Sequence, residues 1–198
     1  MRVAIVCEGS PSGEDQQVLE HLARRILPQA EVKAFPQGRK PDLIANAGAV
    51  VSGLVMDGYE RVLIVWDVLP RFGRPDGEAT DAAEINIVLT AAGVLPNPCV
   101  YLVAIHKELE AWLLADGAAL SAALSRPVRA VNVANTANAD QNGNPKKQLN
   151  KVFQQYARRD YAAKTDALNI AQGLANRFGV LGGIAAFKKF GRALTMPC

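Results

Sequence analysis

Three runs of apolar, largely β-branched residues limit what this chain can fold into. They lie at 2–7 (RVAIVC), 61–66 (RVLIVW) and 99–105 (CVYLVAI). Continuous apolar runs of this length are typical of strands that are covered on both faces, as in a parallel sheet. Because patterns of helical period separate the runs, the chain is predicted to consist of βαβ units. Right-handed crossovers then place the carboxyl ends of the strands at one edge of the sheet.

Other segments complete the α/β pattern. Residues 31–35 alternate between polar and apolar positions as a further strand, and residues 128–134 are predicted to form an edge strand. Capping boxes at Ser12–Asp15 and Asp81–Glu84 predict that helices begin at these two places. Strands that alternate with helices in this way predict an open, parallel or mostly parallel sheet with helices on both faces.

The last third of the chain differs from the rest in pattern and in charge. From Pro145 the spacing of apolar residues is helical, and residues 141–198 carry ten Lys or Arg against two Asp. The 198 residues suffice for one core and are few for two. We therefore predict a single domain, with the sheet in 1–134 and a basic helical part in 145–198. The positive charge indicates a polyanionic partner, although a solvated helical surface has the same composition.

The composition argues against a membrane protein and against a disulfide framework. The longest apolar runs are too short and too interrupted to span a bilayer, and an acid at Glu8 breaks any signal-peptide design. The three cysteines, Cys7, Cys99 and Cys198, lack metal-binding spacing, and their odd number argues against a set of paired thiols. We expect a cytoplasmic protein without membrane contact.

Acidic residues follow the predicted strands at the edge where the carboxyl ends meet. Glu8 comes directly after the first strand, and Asp67 comes directly after 61–66. Ligands of open α/β sheets bind at this edge, and Mg²⁺ needs only one or two carboxylates there because it keeps several waters. Acidic residues at helix starts are also explained by the helix dipole alone. The sequence has neither a P-loop nor a G-x-S-x-G elbow, so a small-molecule enzyme would lack a recognisable motif.

Several of these segments resemble a known domain. The opening AIVCEG and the later RVLIVWD look like the TOPRIM domain, the metal-binding fold of primases, topoisomerases and OLD-type nucleases. Glu8 matches the Glu that follows the first TOPRIM strand, and Asp67 matches the first Asp of the D-x-D motif. The segments HKELEAWLLAD at 106–116, NPKKQL at 144–149 and AFKKFGRAL at 186–194 resemble an uncharacterised bacterial TOPRIM-like family. Together these segments cover most of the chain.

The resemblance implies a TOPRIM-like sheet and a site for Mg²⁺ or Mn²⁺. Glu8 is expected to be the general acid/base or a metal ligand, and Asp67 the principal ligand. Glu14 and Glu110 are expected to support them as further ligands. Two such ions, or one ion beside a free carboxylate that carries protons, support cleavage of phosphodiester bonds.

The match departs from the TOPRIM pattern at two positions. Leu69 stands where the second Asp of D-x-D is expected, and Ser12 stands where the OLD-like pattern places a second Glu. Glu14 fits that pattern only with a shift of two residues. Three alternatives stay open: Asp76 or Glu110 replaces the missing ligand, the site binds metal weakly, or it binds none. These departures favour a protein that has lost two-metal catalysis.

The sequence therefore supports two main functions. The first is a metal-dependent TOPRIM-like nuclease, in which Lys146, Lys147 and Lys151 hold phosphates without sequence preference. Resemblance to defence-associated nucleases adds a role against phage. The alternative is a catalytically inactive TOPRIM-like protein that binds nucleic acid or a protein partner, and a second copy of the chain is another open partner. A small-molecule α/β enzyme is a third reading.

Overall fold

The protein is an α/β protein built on a four-stranded parallel sheet. The sheet order is β2-β1-β3-β4, and every neighbouring pair runs parallel. The computed structural model describes residues 1–70, 77–141, 143–175 and 178–198. Its strands are β1 Arg2–Cys7, β2 Glu31–Pro36, β3 Arg61–Asp67 and β4 Val100–Ile105. The predicted parallel pairing of the three strongly apolar strands is thus confirmed.

The described residues form eight α-helices and two short 3₁₀ turns. None of these helices has the length and apolar character that crossing a membrane requires. The turns are Ala139–Gln141 and Leu181–Gly183. The helices are α1 Glu14–Ile26, α2 Lys40–Met56, α3 Gly77–Ala91, α4 Glu110–Ala115, α5 Gly117–Leu124, α6 Pro145–Ala157, α7 Ala163–Gly173 and α8 Ala185–Thr195.

Contacts group the chain into two compact units. The first contains Met1–Ile105 and Lys189–Cys198, so it holds the whole sheet, α1 to α3 and the end of the chain. The second contains His106–Lys188 and is helical, with α4 to α7 and the first residues of α8. The helical C-terminal part predicted from 145 onward is therefore present. A single domain divided at 134 and 145 stays a prediction.

Side chains alternate along each strand, so both faces of the sheet carry apolar residues. Helices cover both faces. One face packs against α2 and α3, and the other carries residues such as Val3 and Ile5, which are fully buried. The helix α1 contacts β1 and β2 and buries its own apolar stripe. The core of the first face includes Ala4, Val6, Ile64 and Trp66 from the strands with Leu43, Val51, Ile85 and Leu89 from the helices.

Both predicted capping boxes are wrong. The helix α1 is preceded by Gly13, which makes no side-chain cap, and Ser12 has a φ of 60°. In that left-handed conformation the main chain of Ser12 donates to the Gln16 side chain instead. The helix α3 already begins at Gly77, so Asp81 lies inside it and has a buried partner rather than a capping role.

The predicted edge strand at 128–134 is also wrong. No strand forms in this described segment, and only Arg129 takes part in an isolated bridge, to Arg126 just before the segment. Serine hydroxyls at the end of α5 and just after it take two of its amides: Val131 N donates to Ser125 Oγ at 3.0 Å, and Val133 N donates to Ser121 Oγ at 2.8 Å. The alternating pattern therefore reflects a segment held against a helix end rather than against a neighbouring strand.

Two of the three cysteines form a disulfide, which corrects the prediction of unpaired thiols. Cys99 is bonded to Cys198 across 99 residues of sequence, while Cys7 is free and buried. Arg61 also holds the C-terminal end of the chain. It is 4% exposed and donates to the carbonyls of Ala193 and Met196. The odd number of cysteines argued against disulfides, but three cysteines also allow one pair and one free thiol, which is the arrangement in the structure.

Candidate functional site

The candidate site lies in the first unit, where the direction of the strand connections changes. From β1 the chain moves to β2 on one side of the sheet, and β3 and β4 lie on the other side. The crevice at such a switch point, outside the carboxyl ends of the strands, is the usual ligand site of open α/β sheets. Glu8 and Asp67 stand at the carboxyl ends of the two strands that flank this crevice, β1 and β3.

Glu8 is held by two main-chain donors, one at the end of β3 and one at the start of α2. Its Oε1 accepts a hydrogen bond of 2.9 Å from the amide of Asp67, and its carboxylate also accepts one from the amide of Lys40. Burial raises the pKa of Glu8 to about 7, although the Asp67 amide and the Lys40 charge act in the opposite direction. The charge of Asp81 raises this pKa further. Near neutral pH, Glu8 therefore exists in both protonated and ionised forms.

Two glycines bring the loops after β1 and β2 together. Gly9 N donates to Gly38 O at 2.7 Å, and Gly38 N donates to Gly9 O at 2.9 Å. Both residues have left-handed backbones, with φ of 102° and 84°, which favour glycine. A Cβ at Gly9 would also lie 2.9 Å from Asp15 Oδ2. This pairing places the start of α2, and with it Lys40, beside Glu8.

Lys40 and Asp81 form an ion pair beneath the site, and both side chains are fully buried. The Lys40 Nζ lies 3.2 Å from Asp81 Oδ2, and it also donates to the carbonyls of Val68 at 2.8 Å and Pro70 at 3.0 Å. A buried ammonium is stable only with such partners. Sequence reasoning missed this pair. The one available signal was a lysine at the first turn of a helix, where the dipole disfavours positive charge.

The thiol of Cys7 lies close to the same edge but is unsuited to nucleophilic chemistry. Burial raises its pKa well above the usual range, and the negative charges of Asp15, Glu20, Glu8 and Asp67 raise it further. Cysteine attacks as the thiolate. Cys7 thus remains a neutral, buried thiol, and the reactive groups of this edge are the carboxylates.

The described donors suit one hydrated divalent ion better than two. Glu8 and Asp67 offer one carboxylate from each strand end, and magnesium needs only one or two. Glu14, also in the first unit, is the first residue of α1 and half-buried, while Asp76 lies outside the described residues. Among the residues that are described, no three His, Cys, Asp or Glu side chains are arranged as a metal-holding group. Metal binding by these residues stays a prediction.

Glu110 belongs to the second unit, where it has a cationic partner of its own. It is 6% exposed, and its Oε1 lies 3.2 Å from the Nζ of Lys146. Burial raises the pKa of Glu110, and the charge of Lys146 lowers it in part. The amide of Lys146 also donates to Glu108 Oε2 at 3.3 Å. Of the three predicted phosphate-binding lysines, Lys146 is therefore engaged with acids of its own chain.

The helix α6 begins beside a cavity of about 350 Å³ in the second unit. Its exposed residues Lys147 and Lys151 lie one turn apart, and α6 contains no acidic residue. Arg158 ends the helix in a left-handed conformation and is exposed as well. Arg159, in contrast, is held by Asp166 at 2.6 and 2.7 Å. The cavity is lined by Glu108, Asn144, Lys146, Lys147, Asn150 and Tyr161.

No protein-family model, no curated protein and no solved structure matches this chain.

Proposed function

We propose that this protein is a Mg²⁺-dependent phosphodiesterase that acts on nucleic acid, with its site at the carboxyl ends of β1 and β3. The observation that carries the proposal is the contact between Glu8 and the amide of Asp67 at the switch point of the sheet. The TOPRIM resemblance of the same two residues supports it. A role in phage defence is the part of the proposal that comes from the sequence alone. The predicted cytoplasmic location loses its argument from unpaired cysteines, because Cys99 and Cys198 form a disulfide.

Glu8 supplies the proton transfer in this mechanism. Hydrolysis forms a bond between a water oxygen and phosphorus, breaks the P–O ester bond and leaves an oxygen that takes up a proton. Burial raises the pKa of Glu8 to about 7 in the metal-free protein, and a nearby cation would lower it again. The ionised carboxylate can then accept the proton of the water and return it to the leaving oxygen. The amides of Asp67 and Lys40 hold the carboxylate in one orientation throughout.

Asp67 is the main residue that would hold the ion, with Glu8 beside it and Glu14 in support. A bound divalent ion supplies charge stabilisation at the phosphoryl oxygens and lowers the pKa of a bound water. The carboxylate of Asp67 needs no proton for this task, so it differs in role from Glu8. Leu69 leaves the place of a second Asp apolar, which agrees with a site for one ion.

Thermal melting and a nuclease assay, with and without Mg²⁺ or Mn²⁺, test this proposal. At a hundredfold excess over its dissociation constant, an ion that binds only the folded chain contributes about 2.7 kcal/mol. For a protein of this size that is a rise in Tm of about 5 to 10 °C. Glu8→Gln and Asp67→Asn are each expected to remove most of this rise and the cleavage of plasmid DNA and of single-stranded DNA and RNA.

The matched control is Asp57→Asn, at an exposed residue that caps the C-terminus of α2 in the same unit. It makes the same chemical change away from the strand ends, so melting shift and cleavage should equal those of the wild type. If the wild type shows neither a metal-dependent shift nor cleavage, the enzyme proposal fails. The inactive binding protein then takes its place, a reading that Leu69 favours.

The nucleic acid would bind along α6 through a stripe of three cations, Lys147, Lys151 and Arg158. Lys147 and Lys151 are four residues apart and lie on one helical face. Arg158 follows where α6 ends, and all three are exposed. The helix α6 itself contains no acid, and the neighbouring Asp160 carboxylate accepts from the side-chain amides of Asn150 and Gln154 rather than from these three cations. Exposed cations of this kind neutralise phosphates and position the chain without reading bases.

Replacing the three stripe residues together by Gln is expected to weaken binding to all sequences alike. The slope of log K against log salt on duplex DNA should fall by about 0.9 per lost contact, or roughly 2.7 in total. Lys146→Gln alone should change the slope less than Lys147→Gln, because the Lys146 ammonium already pairs with Glu110. Fluorescence anisotropy over a salt series measures both. An unchanged slope in the triple variant would show that α6 is only a solvated surface.

A further inference from the structure

One residue of the first unit contacts both halves of the candidate site. The amide of Lys40 donates to the carboxylate of Glu8, which follows β1. Its ammonium donates to the carbonyls of Val68 and Pro70, which follow β3. The third partner of the ammonium is Asp81, inside α3. Lys40 thus connects the segments that follow β1 and β3 with the helices α2 and α3 through its amide and its ammonium.

We propose that Lys40 is the positioning residue of this site, holding the segment after β3 in register with Glu8 from a buried ion pair with Asp81. This role rests on the proposed function of Glu8 and Asp67. Lys40 is fully buried, so it acts through these two residues and does not reach a substrate.

The ion pair of Lys40 and Asp81 lies in the protein interior, where apolar side chains could also fill the space. Well-packed apolar residues often replace a buried ion pair without loss of stability. Besides the Asp81 carboxylate, the neighbours of the ammonium are the main-chain carbonyls of Val68 and Pro70, the first and third residues after Asp67. An apolar side chain could fill the space of Lys40 but could not hold these carbonyls. The contacts therefore indicate that the charge of Lys40 orients residues 68–70, which follow β3.

The decisive variant is Lys40→Met/Asp81→Leu, because it removes both charges and leaves neither buried alone. We expect it to fold with a Tm close to that of the wild type, even where Lys40→Met alone does not fold. Hydrogen exchange of the Asp67 and Val68 amides should become at least about tenfold faster, as expected when a local anchor is lost. The matched control is Lys33→Met, at an exposed lysine on β2, which should not change the exchange of these amides.

Two outcomes would overturn the role of Lys40. One is wild-type exchange at Asp67 and Val68 in the double variant. The other is an equal acceleration of exchange in the Lys33→Met control. The readout is independent of metal and of cleavage. A wild type without metal response would thus end the proposed function and leave the positioning result to stand or fall separately.

Discussion

Replacing Cys99 and Cys198 together by Ser is expected to lower the free energy of unfolding by about 3 to 5 kcal/mol. The disulfide joins residues 99 positions apart, and closing a loop of that length restricts the unfolded chain strongly, by up to about 4.7 kcal/mol in the entropic account. In the folded protein Arg61 still holds the carbonyls of Ala193 and Met196. The free energy of unfolding should therefore fall mainly because the unfolded chain gains conformational freedom, while the native structure stays the same.

Urea unfolding with and without a thiol reductant measures this effect. Reductant should lower the midpoint of the wild type to that of the double variant, and it should leave the double variant unchanged. Cys7 serves as the internal control, since it is a free buried thiol and carries no disulfide to reduce. Equal midpoints of the oxidised wild type and the double variant would contradict the stabilising role of the bond.

The sheet could be predicted because its signal is local and repeated. Each of β1, β3 and β4 is a continuous apolar run, and such runs have few alternatives to a strand that is covered on both faces. Their parallel order then follows from the helices between them. The segment 128–134 shows the opposite case, since alternation over a few residues does not state what the segment pairs with. Its amides bond to Ser121 and Ser125, which no local pattern indicates.

The candidate site was predictable only in the part that follows from topology. Glu8 and Asp67 come directly after buried strands, so their shared edge could be inferred from the chain order. Lys40 and Asp81 are 41 positions apart in sequence and lie on two helices, and their pairing depends on how α2 and α3 pack. Asp81 also fitted a capping box, which explained an acid at this position from the local sequence alone. In the structure α3 begins at Gly77, four residues before Asp81, and the packing of the helices brings Asp81 to Lys40 instead.

The charge of the C-terminal third was also only partly informative. Composition identified a basic segment, but it could not distinguish lysines that pair with acids from lysines that remain exposed. In the folded second unit Lys146 pairs with Glu110 and Arg159 pairs with Asp166. Lys147 and Lys151 remain exposed on an acid-free helix. The distinction depends on which acids come near in space, and it changes the prediction from a general basic surface to a defined stripe.

Wild-type stability is expected to fall by about 2 to 3 kcal/mol, relative to Glu8→Gln, as the pH rises from 5 to 8. The ordinary pKa of this carboxyl is 4.5, and in the folded chain burial raises the pKa to about 7. Between these values the folded state binds the extra proton, so its stabilising effect is complete below 4.5 and is lost as pH rises through about 7. Each unit of this shift corresponds to about 1.36 kcal/mol, reduced somewhat because Glu8 is only partly buried.

Urea unfolding of both proteins in EDTA at intervals between pH 4.5 and 8.5 gives the difference curve. Subtraction removes the contribution of other groups, including Glu110, whose pKa is also raised by burial. Saturating Mg²⁺ should flatten the wild-type curve, since a cation beside Glu8 favours its ionised form, and should leave Glu8→Gln unchanged. Parallel curves in EDTA would remove the physical basis for Glu8 as a general acid/base at neutral pH. A sloping curve that Mg²⁺ does not alter would keep the buried acid and remove the ion from the site.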